Sequence, residues 1–402
     1  MNNKTINQAV ILAGGLGTRL QPFTDESPKP MYPFSGKPFI EYLVRQIKSF
    51  GIDNILILLG YLPKKIMDYL QDGSAYGVSI SYDVTPVEYN TGDRLLHAQE
   101  LIESQFLLMY CDNYCPINFN KLYRDYESNQ ALIQLTAYEN KDDYTKNNLL
   151  IEEGRVIIYD KKRITPNLQG VDIGYAIVNK QVLGFVTEQN MNFEAAVYPN
   201  LVKQGRLFAT ETGHRYYSVG SWDRIKLTEQ FFNNMPTVFL DRDGTLNQRP
   251  PKACYVENPE QFIWLEGAKD AVRLLKESGY RVILVSNQPG IARGNLSEDM
   301  LRRIHAKMQN DLKRETGCQI DAIYYCPHNW DDGCECRKPK PGMLYQAQKD
   351  YSLNLPECVL IGDDDRDIEA GENAGCKCIK VTEQYNLLQA VNSLLEEKTK
   401  AG

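Results

Sequence analysis

Short apolar runs alternate with longer polar stretches along the whole chain, and these runs form two series. Runs of this length are typical of buried strands, and the stretches between them have helical periodicity. The first series comprises residues 9–12, 54–59, 78–82, 106–110 and 131–137. The second series comprises residues 238–240, 281–286, 322–325, 359–361 and 378–381. This alternation predicts an α/β fold with a helix-covered sheet in each half, and the second sheet should be parallel.

The boundary between the two series lies near residues 232–236. An amphipathic stretch that starts at Arg224 ends in Asn-Asn-Met-Pro, just before the strand predicted at residue 237. A chain of 402 residues is long enough for two or three domains. We therefore predict two domains, residues 1–234 and residues 235–402.

Charge and hydropathy exclude several classes of partner. The net charge is −7, and no block of like charges suits a phosphate backbone, so nucleic acid is not an expected partner. No apolar run reaches the ~18 to 20 residues of a membrane helix, and the N-terminal residues lack the apolar core of a signal peptide. We expect a cytoplasmic chain with no membrane partner. Its ten cysteines are then expected as free thiols and metal ligands.

A glycine-rich segment follows the first predicted strand. Residues 12–19 read Leu-Ala-Gly-Gly-Leu-Gly-Thr-Arg, and Pro-Lys-Pro-Met follows at residues 28–31. Glycines let backbone N–H groups approach a phosphate chain, which Arg19 and Lys29 could neutralise. The candidate nucleotide-binding residues are Leu12, Ala13, Gly14, Gly15, Gly17 and Thr18. The glycine spacing matches neither the dinucleotide fingerprint nor the P-loop. The alternative to a nucleotide site is a strand-to-helix turn that binds nothing.

The pattern GGxGTRLxPxT followed by PKPM resembles that of the sugar-1-phosphate nucleotidyltransferases, and the likeness covers residues 8–233. The resemblance implies a Rossmann-like, glycosyltransferase-A-like fold. It also implies that an oxygen of a sugar 1-phosphate attacks the α-phosphorus of a nucleoside triphosphate and releases pyrophosphate. Arg19, Lys29, glycine amides and Mg²⁺ would carry such a reaction by positioning and charge neutralisation.

The same resemblance implies further site residues. Asp112 follows the strand at residues 106–110 and matches the family's metal-binding aspartate. Lys161 is similar to a lysine near the sugar phosphate, and Gly174 lies in a segment that resembles the sugar-pocket strand. A turn aspartate without a metal is the alternative for Asp112.

Two segments depart from the family pattern. Residues 90–95, which contain the substrate-binding candidate Gly92, are closer to the Thr-Gly-Gly-Arg of sugar cytidylyltransferases and point to CTP. Ser218 stands where the family has a second metal-binding aspartate, and a hydroxyl is a poorer Mg²⁺ ligand than a carboxylate. The second departure allows a domain that binds a nucleotide without turning it over.

Carboxylates follow the first strand of the second half. Asp241 and Asp243 are two residues apart, so in an extended chain their side chains point the same way. One carboxylate could attack phosphorus while the other exchanges the proton, provided that a cation reduces their repulsion. Ser286 ends another strand, and Arg337, Lys338, Asp363 and Asp367 follow later in the chain.

In order and spacing, these segments resemble the four motifs of the haloacid dehalogenase superfamily over residues 237–385. The resemblance implies that Asp241 is the nucleophile that forms an aspartyl-phosphate and that Asp243 is the general acid and base. It further implies that Ser286 and Lys338 hold the phosphoryl group, with Lys340 as the rival lysine. The Mg²⁺ ligands would be Asp241, the backbone of Asp243, and Asp363. Asn287 and Arg337 are the substrate-binding candidates.

Three cysteines and a histidine lie close together in the chain. Cys326, His328, Cys334 and Cys336 have the composition of a closed tetrahedral zinc site, which would be structural and would fix the loop of Arg337 and Lys338. With residues 286–294 and 337–343, the cluster resembles the D-glycero-D-manno-heptose 1,7-bisphosphate phosphatases more than the histidinol-phosphate phosphatases. No large cap domain is visible, so Arg249 and Lys252 in a short loop could meet a second phosphate, or form a solvated basic loop.

The two resemblances imply consecutive steps, since a heptose bisphosphate phosphatase yields the heptose 1-phosphate that a nucleotidyltransferase would use. We expect a bifunctional enzyme whose substrates are sugar phosphates and a nucleoside triphosphate, with GTP favoured by pathway analogy. One alternative is a CTP-using enzyme that acts on another sugar or polyol phosphate. The other is an active phosphatase with a nucleotide-binding N-terminal domain that does not turn over.

Overall fold

A computed structural model describes residues 6–251 and 254–401 of the chain. By contacts between residues, the chain divides into two compact units, residues 1–233 and residues 234–402. Each unit has its own sheet and its own hydrophobic core. The predicted α/β class is therefore confirmed for both halves of the chain.

The first unit contains a large mixed sheet with helices on both faces. Its strands are β1 (Gln8–Ala13), β2 (Pro33–Phe34), β3 (Lys37–Pro38), β4 (Asn54–Leu59), β5 (Ser79–Val84), β6 (Gln105–Tyr110), β7 (Asn113–Tyr114), β8 (Ile133–Tyr138), β9 (Leu149–Glu152), β10 (Arg155–Tyr159), β11 (Val171–Asn179), β12 (Leu207–Thr212) and β13 (Tyr217–Ser218). Its helices are α1 (Phe23–Glu26), α2 (Phe39–Ser49), α3 (Pro63–Leu70), α4 (Thr91–His97), α5 (Phe119–Asn129), α6 (Phe193–Lys203) and α7 (Trp222–Phe232).

The strand order of the large sheet is β5-β4-β1-β6-β11-β8-β12-β10-β9. The strands β5, β4, β1 and β6 are parallel, whereas β11 runs antiparallel between β6 and β8. All of β1 is buried, which explains its continuous apolar run. The loops that follow β1, β4, β5 and β6 therefore meet at one edge of the sheet.

The second unit is a five-stranded parallel sheet of order β16-β15-β14-β17-β18, as predicted for this half. Its strands are β14 (Thr237–Leu240), β15 (Arg281–Asn287), β16 (Ala322–Cys326), β17 (Val359–Gly362) and β18 (Lys377–Lys380). Its helices are α8 (Ala268–Glu277), α9 (Glu298–Thr316), α10 (Gly342–Tyr351), α11 (Asp365–Ala374) and α12 (Leu387–Ala401). Side chains from α8 and α9 pack on one face of the sheet, and side chains from α10 and α11 pack on the other.

The connection between β14 and α8 contains little regular secondary structure. Its described part between residues 246 and 264 contains one 3-10 turn, Pro259–Gln261, and neither a helix nor a strand. This agrees with the expectation that the second unit lacks a large cap. Over residues 6–251 and 254–401, no helix combines the length and the apolar character that a membrane span requires.

Candidate active sites

A cavity of about 300 Å³ lies where β1 and β6 end in the first unit. Six predicted residues line it: Leu12, Gly14, Gly15, Gly17, Lys29 and Asp112. Pro30, Asn90, Thr91 and Arg94, from segments that the sequence analysis quoted, also line it, and Tyr89, Tyr110, Cys111 and Asn192, which it did not single out, complete the wall. The glycine-rich segment and the segment after β6 thus come together because β1 and β6 are neighbouring parallel strands.

The glycines of this segment serve different purposes. Gly17 has a φ of +66°, a left-handed conformation that favours glycine. A Cβ built on Gly15 would meet no atom within 4 Å, so its backbone borders open space where a ligand can approach. A Cβ built on Gly14 would overlap the guanidinium of Arg94, so this glycine is required by packing.

Lys29 and Asp112 form an ion pair on the cavity wall, with 2.5 Å between Nζ and Oδ2. Asp112 is the sole carboxylate that lines this cavity among the described residues. Mg²⁺ is often held by one or two carboxylates together with substrate phosphate oxygens, so a single aspartate beside a phosphate-sized cavity fits such an ion. Asp112 would hold the ion, and Lys29 would then be released to a phosphate.

Ser218 lies directly beside Asp112. The short strand β13 pairs with β7 so that Ser218 opposes Asn113, and the N–H of Val219 donates to the carbonyl of Asp112 at 3.0 Å. The Ser218 side chain is buried. The backbone of Ser218 is therefore close to that of Asp112, but the Ser218 side chain is not among those that line the cavity.

The remaining candidates of the first unit lie off the cavity wall. Arg19 and Thr18 are exposed on a 3-10 turn, and Ala13 is buried in β1. A Cβ on Gly92 would lie 2.6 Å from the carbonyl oxygen of Met191, so Gly92 is a packing position at the start of α4. Gly174 is also a packing position, because its φ is +77° and a Cβ there would lie 2.8 Å from the ring of Tyr110.

Lys161 lies beside Glu194, an acidic residue that sequence reasoning missed. Its Nζ lies 2.5 Å from the carboxylate of Glu194 and 2.9 Å from the side-chain oxygen of Asn192, which lines the cavity. Burial, with the negative charge of Glu194 as a second cause, raises the pKa of Asp172 to about 7. Sequence reasoning also missed Asp172. This residue belongs to the segment that resembles the sugar-pocket strand, and that resemblance could have identified it.

The second unit has a cavity of about 540 Å³ at the carboxyl ends of its central strands. Six predicted residues line it: Asp241, Asp243, Ser286, Asn287, Arg337 and Lys338. Asp367 and the arginines Arg249, Arg293 and Arg366 also line it. The first two aspartates follow β14 and the Ser-Asn pair ends β15, so the parallel pairing of these strands brings the motifs together. Lys252 lies outside the described residues.

Lys338 is buried between two carboxylates. Its Nζ lies 2.5 Å from Asp241 Oδ1 and 2.5 Å from Asp367 Oδ1, and it donates to the carbonyl of Val285 at 2.8 Å. Burial alone would lower the pKa of Lys338, but the two carboxylates raise it, so the lysine stays charged. Burial raises the pKa of Asp241 to about 7, although Lys338 opposes the shift.

Asp243 accepts four hydrogen bonds, and three of its neighbours were missed by sequence reasoning. Arg242 donates from Nη2 at 2.8 Å and from Nε at 3.1 Å, Asn247 donates at 2.9 Å, and Gln288 donates at 3.2 Å. Burial would raise the pKa of Asp243, but the charge and hydrogen bonds of Arg242, with those of Asn247 and Gln288, hold it below its usual value. Gln288 also donates to Ser286 Oγ at 2.8 Å.

Asn287 positions the catalytic lysine candidate. Its side-chain amide donates to the carbonyl of Lys338 and accepts from the N–H of Lys338, both at 3.0 Å. Arg337 donates to the carbonyl of His328 at 3.3 Å. Lys338 is therefore hydrogen-bonded to β15, and the preceding residue, Arg337, is hydrogen-bonded to His328 of the Cys/His cluster.

The carboxylates of Asp241, Asp363 and Asp367 offer oxygens that all lie within 4.8 Å of one another. Burial raises the pKa of Asp363 to about 6, and its Oδ1 is buried without a hydrogen-bond partner. An unpartnered buried carboxylate oxygen in such a group fits a divalent cation. Asp241 and Asp363 are the predicted ligands, whereas the Asp243 side chain faces Arg242 and only its backbone is left for the ion.

Cys326, His328, Cys334 and Cys336 also lie together. The Sγ atoms of Cys326 and Cys334 are 3.6 Å apart, and His328 Nδ1 lies 3.6 Å from Cys326 Sγ and 3.2 Å from Cys336 Sγ. Tetrahedral bonds of about 2.3 Å to sulfur give ligand separations of roughly 3.5 to 3.8 Å. The four side chains thus fit a closed tetrahedral ion such as Zn²⁺, with no place left for a substrate.

Family models match both halves of the chain. A nucleotidyl transferase model matches residues 8–223, and a HAD-hydrolase-like model matches residues 335–391. The first model alone covers more than half of the chain. The two matches fall on the two compact units.

Two relatives resemble the second unit. The D-glycero-beta-D-manno-heptose-1,7-bisphosphate 7-phosphatase of Haemophilus influenzae is 42% identical over 146 residues, which are 35% of this chain and 77% of the relative. The D-glycero-alpha-D-manno-heptose-1,7-bisphosphate 7-phosphatase of Photorhabdus laumondii is 39% identical over 151 residues, which are 36% of this chain and 80% of the relative.

A solved structure resembles the first unit in fold. It is a protein proposed to be a glucose-1-phosphate thymidylyltransferase, from Bacillus anthracis, crystallised with a sucrose. The match has a TM-score of 0.50 and 19% identity, and it covers 55% of this chain and 94% of that protein. At this identity, the likeness supports the fold of the first unit.

Proposed function

The chain belongs to the nucleotidyl transferase family, its C-terminal part belongs with the heptose-1,7-bisphosphate 7-phosphatases, and from this premise we propose that it catalyses two consecutive steps. It is a phosphatase and a nucleotidyltransferase. Residues 235–402 remove the 7-phosphate of D-glycero-D-manno-heptose 1,7-bisphosphate. Residues 1–234 then join the heptose 1-phosphate to a nucleotide from GTP and release pyrophosphate.

In the phosphatase step, the carboxylate of Asp241 attacks phosphorus. The new bond from Asp241 to phosphorus forms as the bond to O7 of the sugar breaks, and Asp243 gives its proton to that oxygen. Water then attacks the aspartyl-phosphate, Asp243 takes the proton, and phosphate and free Asp241 result. A phosphate dianion near Asp243 favours its protonated form, which opposes the effect of Arg242.

Cations of the second unit stabilise the transferred phosphoryl group. Lys338 is already placed 2.5 Å from Asp241, and Ser286 lies on the same cavity wall. Mg²⁺ held by Asp241, Asp363 and the backbone of Asp243 would supply the further neutralisation that lets a carboxylate approach a phosphate. We also assign a structural Zn²⁺ to the Cys/His cluster, where it would fix the loop that carries Arg337 and Lys338.

The observation that carries the choice of a bisphosphate is a set of arginines. Arg293 and Arg337 line the cavity, and neither has a carboxylate partner among the described residues. Arg249 and Arg366, in contrast, bind the carboxylate of Asp364. Two guanidinium groups near the nucleophile without an acidic partner suit a substrate with a second phosphate.

In the transferase step, no protein nucleophile is required. An oxygen of the sugar 1-phosphate attacks the α-phosphorus of the nucleotide, and the bond to the pyrophosphate oxygen breaks. Lys29 and the backbone of Gly15 would neutralise and orient the phosphate chain, while Asp112 would hold Mg²⁺. Lys161 beside Asn192 would receive the sugar phosphate.

GTP is proposed by analogy with a pathway in which a heptose 1-phosphate is joined to GTP. The alternative, CTP, depends on the similarity of residues 91–94 to the cytidylyltransferases. The donors of Arg94 are taken up by backbone carbonyl oxygens and the hydroxyl of Thr85, so this residue gives little support to base recognition.

Mass spectrometry of a single reaction tests both steps. The purified protein would receive Mg²⁺, the bisphosphate as either anomer, and all four nucleoside triphosphates. We expect phosphate, pyrophosphate and GDP-heptose, from one anomer more than from the other. CDP-heptose would contradict the choice of GTP, and unchanged bisphosphate would contradict the phosphatase assignment.

A second candidate function follows from Ser218. If the hydroxyl cannot replace a carboxylate beside Asp112, the first unit binds a nucleotide without turnover, and the same reaction stops at heptose 1-phosphate. The variant Ser218→Asp distinguishes the two cases, since the added carboxylate would create transferase activity in a non-catalytic unit. In our proposal, wild-type protein already forms the nucleotide sugar.

A further inference from the structure

Arg94 lines the transferase cavity, and the proposed reaction does not use it. The residue is on α4, lines the cavity and is only 3% exposed. Burial lowers the pKa of its guanidinium from the usual value, but an arginine stays charged at any neutral pH. A buried cation therefore lies beside the proposed binding site for the phosphate chain of the nucleotide.

The hydrogen bonds of Arg94 join three strand ends. Nη1 donates to the carbonyl of Leu59 at 2.8 Å and to the hydroxyl of Thr85. Nη2 donates to the carbonyls of Gly14 at 3.2 Å, Pro86 at 3.0 Å and Val87 at 3.2 Å. These acceptors lie at the ends of β1, β4 and β5, or just after them. A forked, planar guanidinium can make these contacts at once, whereas a lysine ammonium cannot.

Two glycines leave room for this guanidinium. A Cβ on Gly60 would lie 2.6 Å from Arg94 Nη2 and 2.6 Å from the carbonyl oxygen of Gly14. A Cβ on Gly14 would overlap the guanidinium itself. Gly14 and Gly60 are therefore complementary to Arg94, unlike Gly15, whose Cβ would enter open space.

The charge of Arg94 has no direct carboxylate partner among the described residues. Asp83 instead contacts His97 at 2.9 Å, and Asp93 accepts from the N–H of Asn90 at 2.8 Å. Glu88 is exposed. The charges of Asp93, Asp83 and Glu88 favour the charged form of Arg94 from a distance, but burial outweighs them and all its hydrogen bonds go to neutral acceptors. A phosphate chain bound beside this buried cation would therefore be favourable.

We propose that Arg94 is a positioning residue of the transferase, which holds the glycine segment in the conformation that receives the phosphates of the nucleotide. The inference rests on the proposed transferase function. Because a peptide unit is planar and trans, fixing the carbonyl of Gly14 toward Arg94 turns the N–H of Gly15 to the opposite side. Gly15 is exposed and lines the cavity, so that N–H is available to a phosphate oxygen.

The test compares nucleotide KM with kcat in the transfer to heptose 1-phosphate, with GTP and with CTP. Arg94→Lys keeps the charge but loses the forked contacts, so we expect the nucleotide KM to rise about tenfold, while kcat changes less. Gly60→Ala keeps Arg94 but displaces its guanidinium, and it should raise KM in the same direction. Phosphatase activity of the same preparations should stay constant and report the amount of folded second unit.

Arg215→Lys is the matched control. Arg215 is ion-paired with Asp142 and does not line the cavity, so its replacement should lower the unfolding temperature of the first unit without changing KM. If Arg94→Lys and Gly60→Ala also lower only the unfolding temperature, Arg94 is purely structural and the inference is wrong. Absence of transfer by the wild-type protein with either nucleotide would instead overturn the proposed function.

Discussion

The two sites share a position in their sheets but differ in what the chain supplies. Both lie where parallel strands end. The phosphatase cavity is lined by Asp241, Asp243 and Asp367, with Lys338 buried among them, whereas the transferase cavity has Asp112 as its carboxylate. The difference follows from the chemistry. A phosphatase needs its own nucleophile and proton donor, but a transferase joins two substrates that already carry the reacting groups.

The electrostatics differ in the same way. In the phosphatase site, carboxylates raise the pKa of Lys338 and burial raises that of Asp241 to about 7, so protein groups dominate the field. In the transferase site, Lys29 and Asp112 form one partly exposed pair. A bound substrate with several phosphates is therefore expected to change the local electrostatic potential more in the transferase site than in the phosphatase site.

The sharpest test of this comparison is Asp241→Asn. Because the amide cannot serve as nucleophile, we expect phosphate release to fall by at least about 1000-fold, measured with a phosphate-release assay. Nucleotide transfer from supplied heptose 1-phosphate should be unchanged. The exposed Asp350→Asn is the matched control in the same unit. Substantial phosphate release by Asp241→Asn would show that another group attacks phosphorus.

Lys29→Ala should give the next largest effect, on the other site. Loss of a preorganised cation at the phosphates is expected to lower transfer by about 100-fold, measured by pyrophosphate release, with the phosphatase unaffected. Lys37→Ala, whose lysine faces Glu41, is the control. We expect a smaller loss for Arg19→Ala, because Arg19 is exposed and off the cavity wall. A larger loss for Arg19 than for Lys29 would contradict this placement.

Loss of the Cys/His site should affect the phosphatase alone. We expect Cys334→Ser to lower bound zinc, measured by metal analysis, and to lower phosphatase kcat/KM by roughly 10- to 100-fold, because the loop of Lys338 loses its anchor. Cys318→Ser, outside the cluster, should keep both zinc and activity. A zinc-free variant with full phosphatase activity would refute the structural role.

The smallest expected effect is the acid sensitivity of the second unit. Burial, with the charge of Arg242, lowers the pKa of His305 to about 3. Below the unfolded value of about 6.5, the unfolded chain binds a proton that the folded unit does not. Stability is therefore lost as pH falls, by about 1.4 kcal/mol per pH unit between about 6.5 and 3.

His305→Gln should remove this contribution. Between pH 7.5 and 5.5, the temperature of half-inactivation of the phosphatase should fall by about 2–4 °C more in the wild type than in the variant. The exposed His97→Gln is the control and should behave like the wild type. Equal pH dependence in His305→Gln and in the wild type would mean that His305 is not buried as a neutral group.

The placement of the reactive groups could largely be predicted from the sequence. Asp241 and Asp112 each follow an apolar run, Ser286 ends another, and these runs became parallel strands. The sequence did not predict the strands β9 and β10 of the first unit, because their apolar patterns are short and interrupted, and it indicated β11 only through the segment that resembles the sugar-pocket strand. Gln288 was visible in the chain, but its contacts with Asp243 and Ser286 depend on the direction of a side chain.

The sequence by itself determined the α/β class of each half, which follows from local apolar patterns. Through the resemblance of its motifs it also indicated the two enzyme classes and supplied the candidate residues. The tertiary structure decided which of these residues share a cavity. It placed Lys29 rather than Arg19 on the cavity wall, placed Ser218 beside Asp112, and buried Arg94 across three strand ends. The physical reason is that burial, ion pairing and close approach depend on residues that are far apart in the chain.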